Sequence, residues 1–86
     1  MKFRLVYTNR AVRDITRLPP QTKERVKESL ERYAESPAAF AKKMVDPVLG
    51  TYRFRIGDYR VIFDLEGNDI VVLRIGHRRD IYRKLK

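Results

Sequence analysis

Between Tyr52 and Leu65 the chain alternates apolar and polar residues twice, about the pair Gly57-Asp58. Tyr52, Phe54 and Ile56 fall on one face of the first run; Tyr59, Val61, Phe63 and Leu65 fall on one face of the second. A glycine-containing dipeptide between two such runs predicts a hairpin with a two-residue loop. That loop fixes the register: Ile56 must face Tyr59, and Arg55 must face Arg60. Arg53, two residues from Arg55, projects from the same face as the arginine pair. One face of the hairpin is therefore apolar and needs burial. The other gathers three arginines, although like charges opposite one another destabilise a sheet.

The flanking segments supply something to bury that face against. In "KFRLVYT", Phe3, Leu5 and Tyr7 alternate with Arg4 and Val6, predicting a first strand. Thr8 or Asn9 can cap a helix whose apolar stripe is Ala11, Val12, Ile15 and Leu18; Arg10, Arg13 and Arg17 share another side of it. Pro19 and Pro20 end that helix, and Pro20 suits the first turn of a second one running to about Glu35, with Val26, Leu30, Tyr33 and Ala34 turned inward. "SPAAFAKKMVDPVLG" has two prolines and no sustained period, and is expected to be a connecting loop with at most a helical turn. After the hairpin, "EGND" is a turn, "IVVLRI" a buried strand, and Ile81 and Leu85 have helical spacing. The expected fold is α+β: a small, curved, mostly antiparallel four-stranded sheet with an N-terminal helical hairpin on one face. Its order is β-α-α-β-β-β with a short C-terminal helix.

At 86 residues the chain is read as one domain, residues 1–86. There is no cysteine, so disulfide and thiolate chemistry are excluded. No apolar run approaches the roughly 20 residues that span a bilayer, and "MKFRLVYTNR" does not read as a signal peptide, so a cytoplasmic location and no membrane partner are expected. Twenty basic residues against 11 acidic ones give a formal net charge of +9, which favours a polyanionic partner.

The charge has an expected location. With the apolar face on the helices, Arg53, Arg55 and Arg60 occupy the exposed opposite face, continued by Ile62 and Asp64. On the last strand Leu73 and Ile75 share one face and Arg74 takes the other, with Arg78 and Arg79 just beyond. Arg53, Arg55, Arg60, Arg74, Arg78 and Arg79 are thus expected around one concave surface. The ordinary alternative is a solvated face on which arginines pair with Asp58, Asp64 or Asp80. Repulsion between Arg55 and Arg60 favours a phosphate between them. His77 is the only histidine and the acids are scattered, so no metal site and no cofactor are expected. Metal-independent phosphoryl transfer on RNA remains, in which the 2′-hydroxyl attacks the adjacent phosphorus and the protein aligns the strand and stabilises added negative charge. Arginine suits the second task and is a poor base. His77 and Tyr82 are the nearby proton-transfer candidates; each has a structural alternative, at the strand end or in the core.

The segment "LGTYRFRIGDYRVIFDLEGNDIVVLRIGHRRDIYRKL" resembles the C-terminal half of RelE-family toxins of toxin–antitoxin pairs. The blocks "YRFRIGDYRVIF" and "GHRRDIY" carry the resemblance, and the preceding strand and helical hairpin extend it to essentially the whole chain. The resemblance implies a ribosome-dependent mRNA endonuclease that acts in the A site without a metal. It also implies a cognate antitoxin of RelB type, with an acidic segment, that wraps the toxin and carries the operator-binding module. Carried over by motif, Arg60 and Arg78 match arginines that orient and neutralise the scissile phosphate. Arg53 and Arg55 stand where well-known relatives have lysines, and Tyr82 corresponds to the family's C-terminal tyrosine at a shorter separation from Arg78. Arg74, His77 and Arg79 complete the expected RNA-binding set. Two rival readings stand beside this one: a ParE-like poison of DNA gyrase, and a non-catalytic RNA- or ribosome-binding module.

Overall fold

The computed structural model describes residues 3–44 and 50–81. Along the chain run β1 (Arg4–Tyr7), α1 (Asn9–Thr16), α2 (Pro20–Tyr33), α3 (Pro37–Phe40), β2 (Lys42–Lys43), β3 (Tyr52–Ile56), β4 (Tyr59–Glu66), β5 (Asp69–His77) and α4 (Arg78–Ile81). The sheet order is β1-β5-β4-β3-β2, with β1 parallel to β5 and every other neighbour antiparallel. The sheet has five strands where four were expected, because the segment read as a loop supplies the edge strand β2, pairing Lys42 with Arg53 and Lys43 with Tyr52. A two-residue strand of lysines has no apolar alternation to betray it, and lysine suits an edge where further pairing is unwanted. No helix among the described residues is long and apolar enough to cross a membrane.

The hairpin has the expected register. Ile56 faces Tyr59, Arg55 faces Arg60, and Gly57 takes the left-handed conformation (φ 59°) that a two-residue turn requires. Arg25 of α2 lies against this turn, its guanidinium 3.1 Å from where a Gly57 Cβ would stand.

The apolar face packs as the pattern demands. Phe54 and Phe63 stack at 4.2 Å between centroids, Tyr33 of α2 lies 5.0 Å from Phe54, and Phe40 stacks on Tyr33 at 4.4 Å. Val26, Leu30 and Ala34 complete the helical side, with Val61, Ile70, Val72 and Ile75 on the sheet. The helices start where their residues allow. The Thr8 hydroxyl accepts the Ala11 N–H at 3.2 Å, and Pro20 occupies the first turn of α2. The stripe on α1 is narrower than expected: Ala11 is buried, whereas Val12 is 48% exposed.

The second face of the sheet is not simply solvated. Ile62 is fully buried there, and a Cβ at Gly50 would fall 2.7 Å from it and 2.9 Å from Leu73, so the backbone at Gly50 lies directly over both. Ile81 of α4 is buried against Gly76. A register shift at Ile62/Phe63 pairs Ile62 with Arg74 and Phe63 with Val72, leaving Leu73 as an extra residue. This irregularity overturns the expected partition: Leu73 packs beside Ile62 instead of sharing the core face with Ile75.

Beyond the end of β1, α1 takes over the edge of β5. The Thr8 hydroxyl donates towards the carbonyls of Val72 and Leu73. One oxygen of Asp14, Oδ2, accepts the Ile75 N–H at 2.9 Å and Arg74 Nε at 2.8 Å. Asp14 thus satisfies a strand-edge donor that has no strand beside it and pairs a guanidinium; both side chains are only 11% exposed.

Arg60 departs most from expectation. It is 6% exposed, and its Nη1 donates to the carbonyls of Gly57 and Tyr59, each at 2.9 Å. The hairpin turn therefore holds one of the two opposed arginines down while Arg55 stays exposed. Arg60→Ala is expected to lower stability by about 1–3 kcal/mol, and Arg55→Ala to change it by less than about 0.5 kcal/mol, as read by urea unfolding. Equal effects would show that the turn does not depend on Arg60. In the same assay Asp14→Ala should cost about 3–5 kcal/mol by stranding Arg74, and adding Arg74→Met should restore much of it.

Candidate nucleic-acid interface

Three of the expected arginines converge. Arg53 and Arg55 from β3 and Arg60 from β4 line a shallow cleft of about 60 Å³ with Phe40 and Lys42. The pleat brings Arg53 and Arg55 to one side, the fixed turn sets Arg60 opposite Arg55, and the edge pairing puts Lys42 beside Arg53. Lys42 and Phe40 escaped sequence reasoning because they lie in a segment without periodicity. The only available signal was a Lys-Lys pair within reach of an edge strand. Within the cleft the cations have different roles. Arg55 is exposed and Arg53 half-buried, while the buried Arg60 guanidinium is anchored to the turn carbonyls. A buried, oriented cation beside more accessible ones is suited to hold an anion's position.

Arg78 does not line this cleft; it stands at the end of β5, beside the hairpin tip. Its backbone N–H donates to the Asp58 carbonyl at 2.8 Å, and its Nε lies 3.8 Å from Asp58 Oδ1, so α4 begins beside the hairpin tip that Arg60 also grips. Arg79 is exposed on the next position.

Two expected members of the surface are elsewhere. Arg74 does not border the cleft of Arg53, Arg55 and Arg60. It is drawn to Asp14 at the β5 edge, because a carboxylate brought there by α1 outcompetes solvent for a guanidinium. His77 alternates with Gly76, which pairs with Arg60, and therefore projects to the side of Tyr59 and Ile75. Its ring meets Tyr59 edge-on at 5.5 Å, and its Nδ1 accepts the Arg79 N–H at 3.1 Å at the start of α4. With Nδ1 engaged by that backbone N–H, Nε2 is the ring nitrogen left to meet other groups. Tyr82 lies outside the described residues. Asp64, on the arginine face, is engaged by the Thr51 N–H at 2.7 Å. Among the described residues no cluster of three or more His, Cys, Asp or Glu is placed to hold a metal.

A second surface feature lies where β1, α1 and α2 meet. Tyr7, Ile15, Val26 and Leu30 floor a groove of about 200 Å³ rimmed by Lys23 and Lys27, beside the edge strand β1. Burial, and then the nearby Glu31 carboxylate, raise the Tyr7 hydroxyl above its ordinary pKa, so the groove floor is neutral under ordinary conditions.

Comparison with known proteins bears on the family and the fold. The family described as "ParE toxin of type II toxin-antitoxin system, parDE" matches residues 5–82. The chain is 33% identical over 87 positions to Toxin RelG of Mycobacterium tuberculosis, covering 98% of this chain and all of the relative. The toxin–antitoxin complex RelBE2 of Mycobacterium tuberculosis contains a chain that superposes with a TM-score of 0.81 at 27% identity, covering 91% of this chain and all of that one. A chain of the RelB–RelE antitoxin–toxin complex from Methanococcus jannaschii superposes with a TM-score of 0.73 at 25% identity, covering 94% of this chain and 99% of that one. A sheet whose last strand lies between the first and the hairpin, with a helical hairpin packed on one face, therefore belongs here to a known lineage: the chain is a member of the RelE/ParE family of type II toxin–antitoxin toxins.

Proposed function

We propose that the protein cleaves mRNA in the ribosomal A site, through attack of the substrate's 2′-hydroxyl on the adjacent phosphorus. The observation that carries this reading is the convergence of Arg53, Arg55 and Arg60 with Lys42 on one cleft of the sheet. In the reaction the 2′-oxygen forms a bond to phosphorus and the bond to the 5′-oxygen breaks, leaving a 2′,3′-cyclic phosphate and a 5′-hydroxyl. One proton leaves the 2′-hydroxyl and one reaches the departing oxygen. Arg55 and Arg53 neutralise the non-bridging oxygens as charge accumulates, and Arg60, fixed by the turn, sets their position. Arg78 approaches from α4. None of these arginines accepts a proton. Tyr82, the tyrosine of the "GHRRDIY" block, is the chain's candidate for proton transfer. His77 serves α4 from the opposite face.

The apolar groove with its lysine rim fits the second partner, a RelB-like antitoxin with an acidic amphipathic segment. Apolar residues of that segment would cover Tyr7 and Ile15 while its acids meet Lys23 and Lys27. Solved relatives occur as toxin–antitoxin complexes, which supports this assignment.

A second reading follows from the description of the matching family, whose name is that of ParE: poisoning of DNA gyrase without RNA cleavage. Primer extension on mRNA-programmed ribosomes, with chelator present, separates the two. Wild-type protein is expected to produce ends within the A-site codon, and Arg53→Ala/Arg55→Ala to lower the cutting rate about 100-fold or more while remaining folded. No cutting by wild-type protein that still arrests growth would give first place to the gyrase reading. For the groove, Lys23→Glu/Lys27→Glu should slow antitoxin association at least about tenfold in surface-binding kinetics and leave cleavage intact; an unchanged on-rate would place the antitoxin elsewhere.

A further inference from the structure

The β5 edge carries a second concentration of positive charge that the cleavage cleft does not use. Arg10, Arg13 and Arg17 stand at positions i, i+3 and i+7 of α1 and its C-cap, so they share one face of the helix, and Arg74 rises to meet them from β5. Together with Asp14 they line a cleft of about 280 Å³ in which every lining residue is charged: four guanidinium groups surround one carboxylate. That carboxylate is already engaged, through one oxygen, by the Ile75 N–H and by Arg74 Nε. Arg74 Nη1 is buried and has no hydrogen-bond partner among the described residues.

We propose that Arg10, Arg13 and Arg17 of α1 and Arg74 of β5 form a second binding site, for a backbone phosphate of RNA, separate from the cleft of Arg53, Arg55 and Arg60. The inference rests on the reading of the protein as an RNA-directed toxin and adds a contact to it. Like charges three and four residues apart on a helix repel, and Asp14 is too occupied to offset three of them. A phosphodiester relieves that repulsion and gives forked donors the acceptor geometry they match. An acidic protein segment suits the site less well. Protein interfaces need an apolar centre, and this cleft contributes none, whereas the groove of Ile15, Val26 and Leu30 does.

The two phosphate sites are linked through the sheet. Lys42, Arg53, Ile62 and Arg74 form one row of register partners across β2, β3, β4 and β5. At about 4.8 Å between neighbouring strands, Arg53 and Arg74 stand roughly 10 Å apart at the backbone. Asp14 fixes the Arg74 end of that row, so α1 presents its arginines at a set distance from the cleavage cleft. Asp14 and Arg74 are positioning and binding residues, respectively, for an RNA that runs past the sheet edge.

The phosphate can come from the mRNA strand itself or from ribosomal RNA, and two probes distinguish these. Binding is measured over a range of salt concentrations for a 12-nucleotide single-stranded RNA and for ribosomes programmed with mRNA that carries a 2′-O-methyl group at the scissile position. Three variants are compared with wild type: Arg13→Gln/Arg17→Gln, Arg53→Gln/Arg55→Gln, and Arg4→Gln/Arg32→Gln, which removes equal charge elsewhere. The α1 variant should bind about tenfold more weakly at moderate salt, with a salt slope shallower by about one. Loss on both probes assigns the phosphate to the mRNA strand; loss on ribosomes alone assigns it to ribosomal RNA. If the sheet variant weakens binding and the α1 variant does not, the second site is overturned and the proposed function stands. If neither variant weakens binding, both fail. A loss matched by the charge control, or a loss of antitoxin affinity with RNA binding unchanged, also overturns the site.

Discussion

A slip of one residue in the pairing of β3 with β4 would turn the faces of the two strands against each other. It would bring Arg53 and Arg55 to the face of Val61 and Phe63, and Phe54 to the face of Arg60. The two-residue turn at Gly57-Asp58 prevents that slip, and much of the molecule is arranged around it. Arg60 grips the turn from within through the Gly57 and Tyr59 carbonyls. Arg25 covers it from α2, and the Asp58 carbonyl receives the first N–H of α4. The same turn thus sets the core, orients the arginine cleft and anchors the segment that brings Arg78 near it.

The opposition of Arg55 and Arg60 shows how a sheet can hold like charges side by side. One cation is sunk to 6% exposure and bound to carbonyl oxygens, and its partner is left to water. The repulsion is not removed but made asymmetric, and the buried member gains a fixed orientation. The β5 edge solves a similar problem differently. There a single carboxylate oxygen serves a backbone donor and a guanidinium at once, joining α1 to a strand that has lost its neighbour. Both devices place charge on the sheet without giving up burial of Ile62 beside it.

Where pattern and chemistry coincide, the sequence was legible. The alternation in Tyr52–Leu65, the glycine turn, the Thr8 cap and Pro20 at the start of α2 each have one cheap local solution, and the chain adopts it. Side-chain placement beyond the hairpin was harder to read. Alternation counts residues, so the bulge at Leu73 moved that side chain to the other face without any mark in the local pattern. Arg74 and Asp14 are 60 residues apart, and no local rule pairs them. His77 was grouped with the arginines by proximity in sequence, yet the parity of β5 puts it on the opposite side. The second strand at the lysine edge, β2, was invisible because edge strands need little hydrophobicity. Arg60 looked solvated because arginine usually is, and only the closeness of two turn carbonyls explains its burial.

The order of the strands in the sheet is not their order in the chain. β5, the last strand made, lies between β1, the first, and β4, with Arg4 paired to Asp69 across a closed loop of most of the chain. Closing a loop of that length must precede any reward from the contacts it allows. The helical hairpin and β1 cannot be joined to the β3–β4 hairpin through the sheet until β5 has been synthesised, because β5 is the strand that touches both. A nascent chain of this toxin therefore emerges without the central strand that unites its two halves, and they stay unjoined through the sheet until that strand has been made.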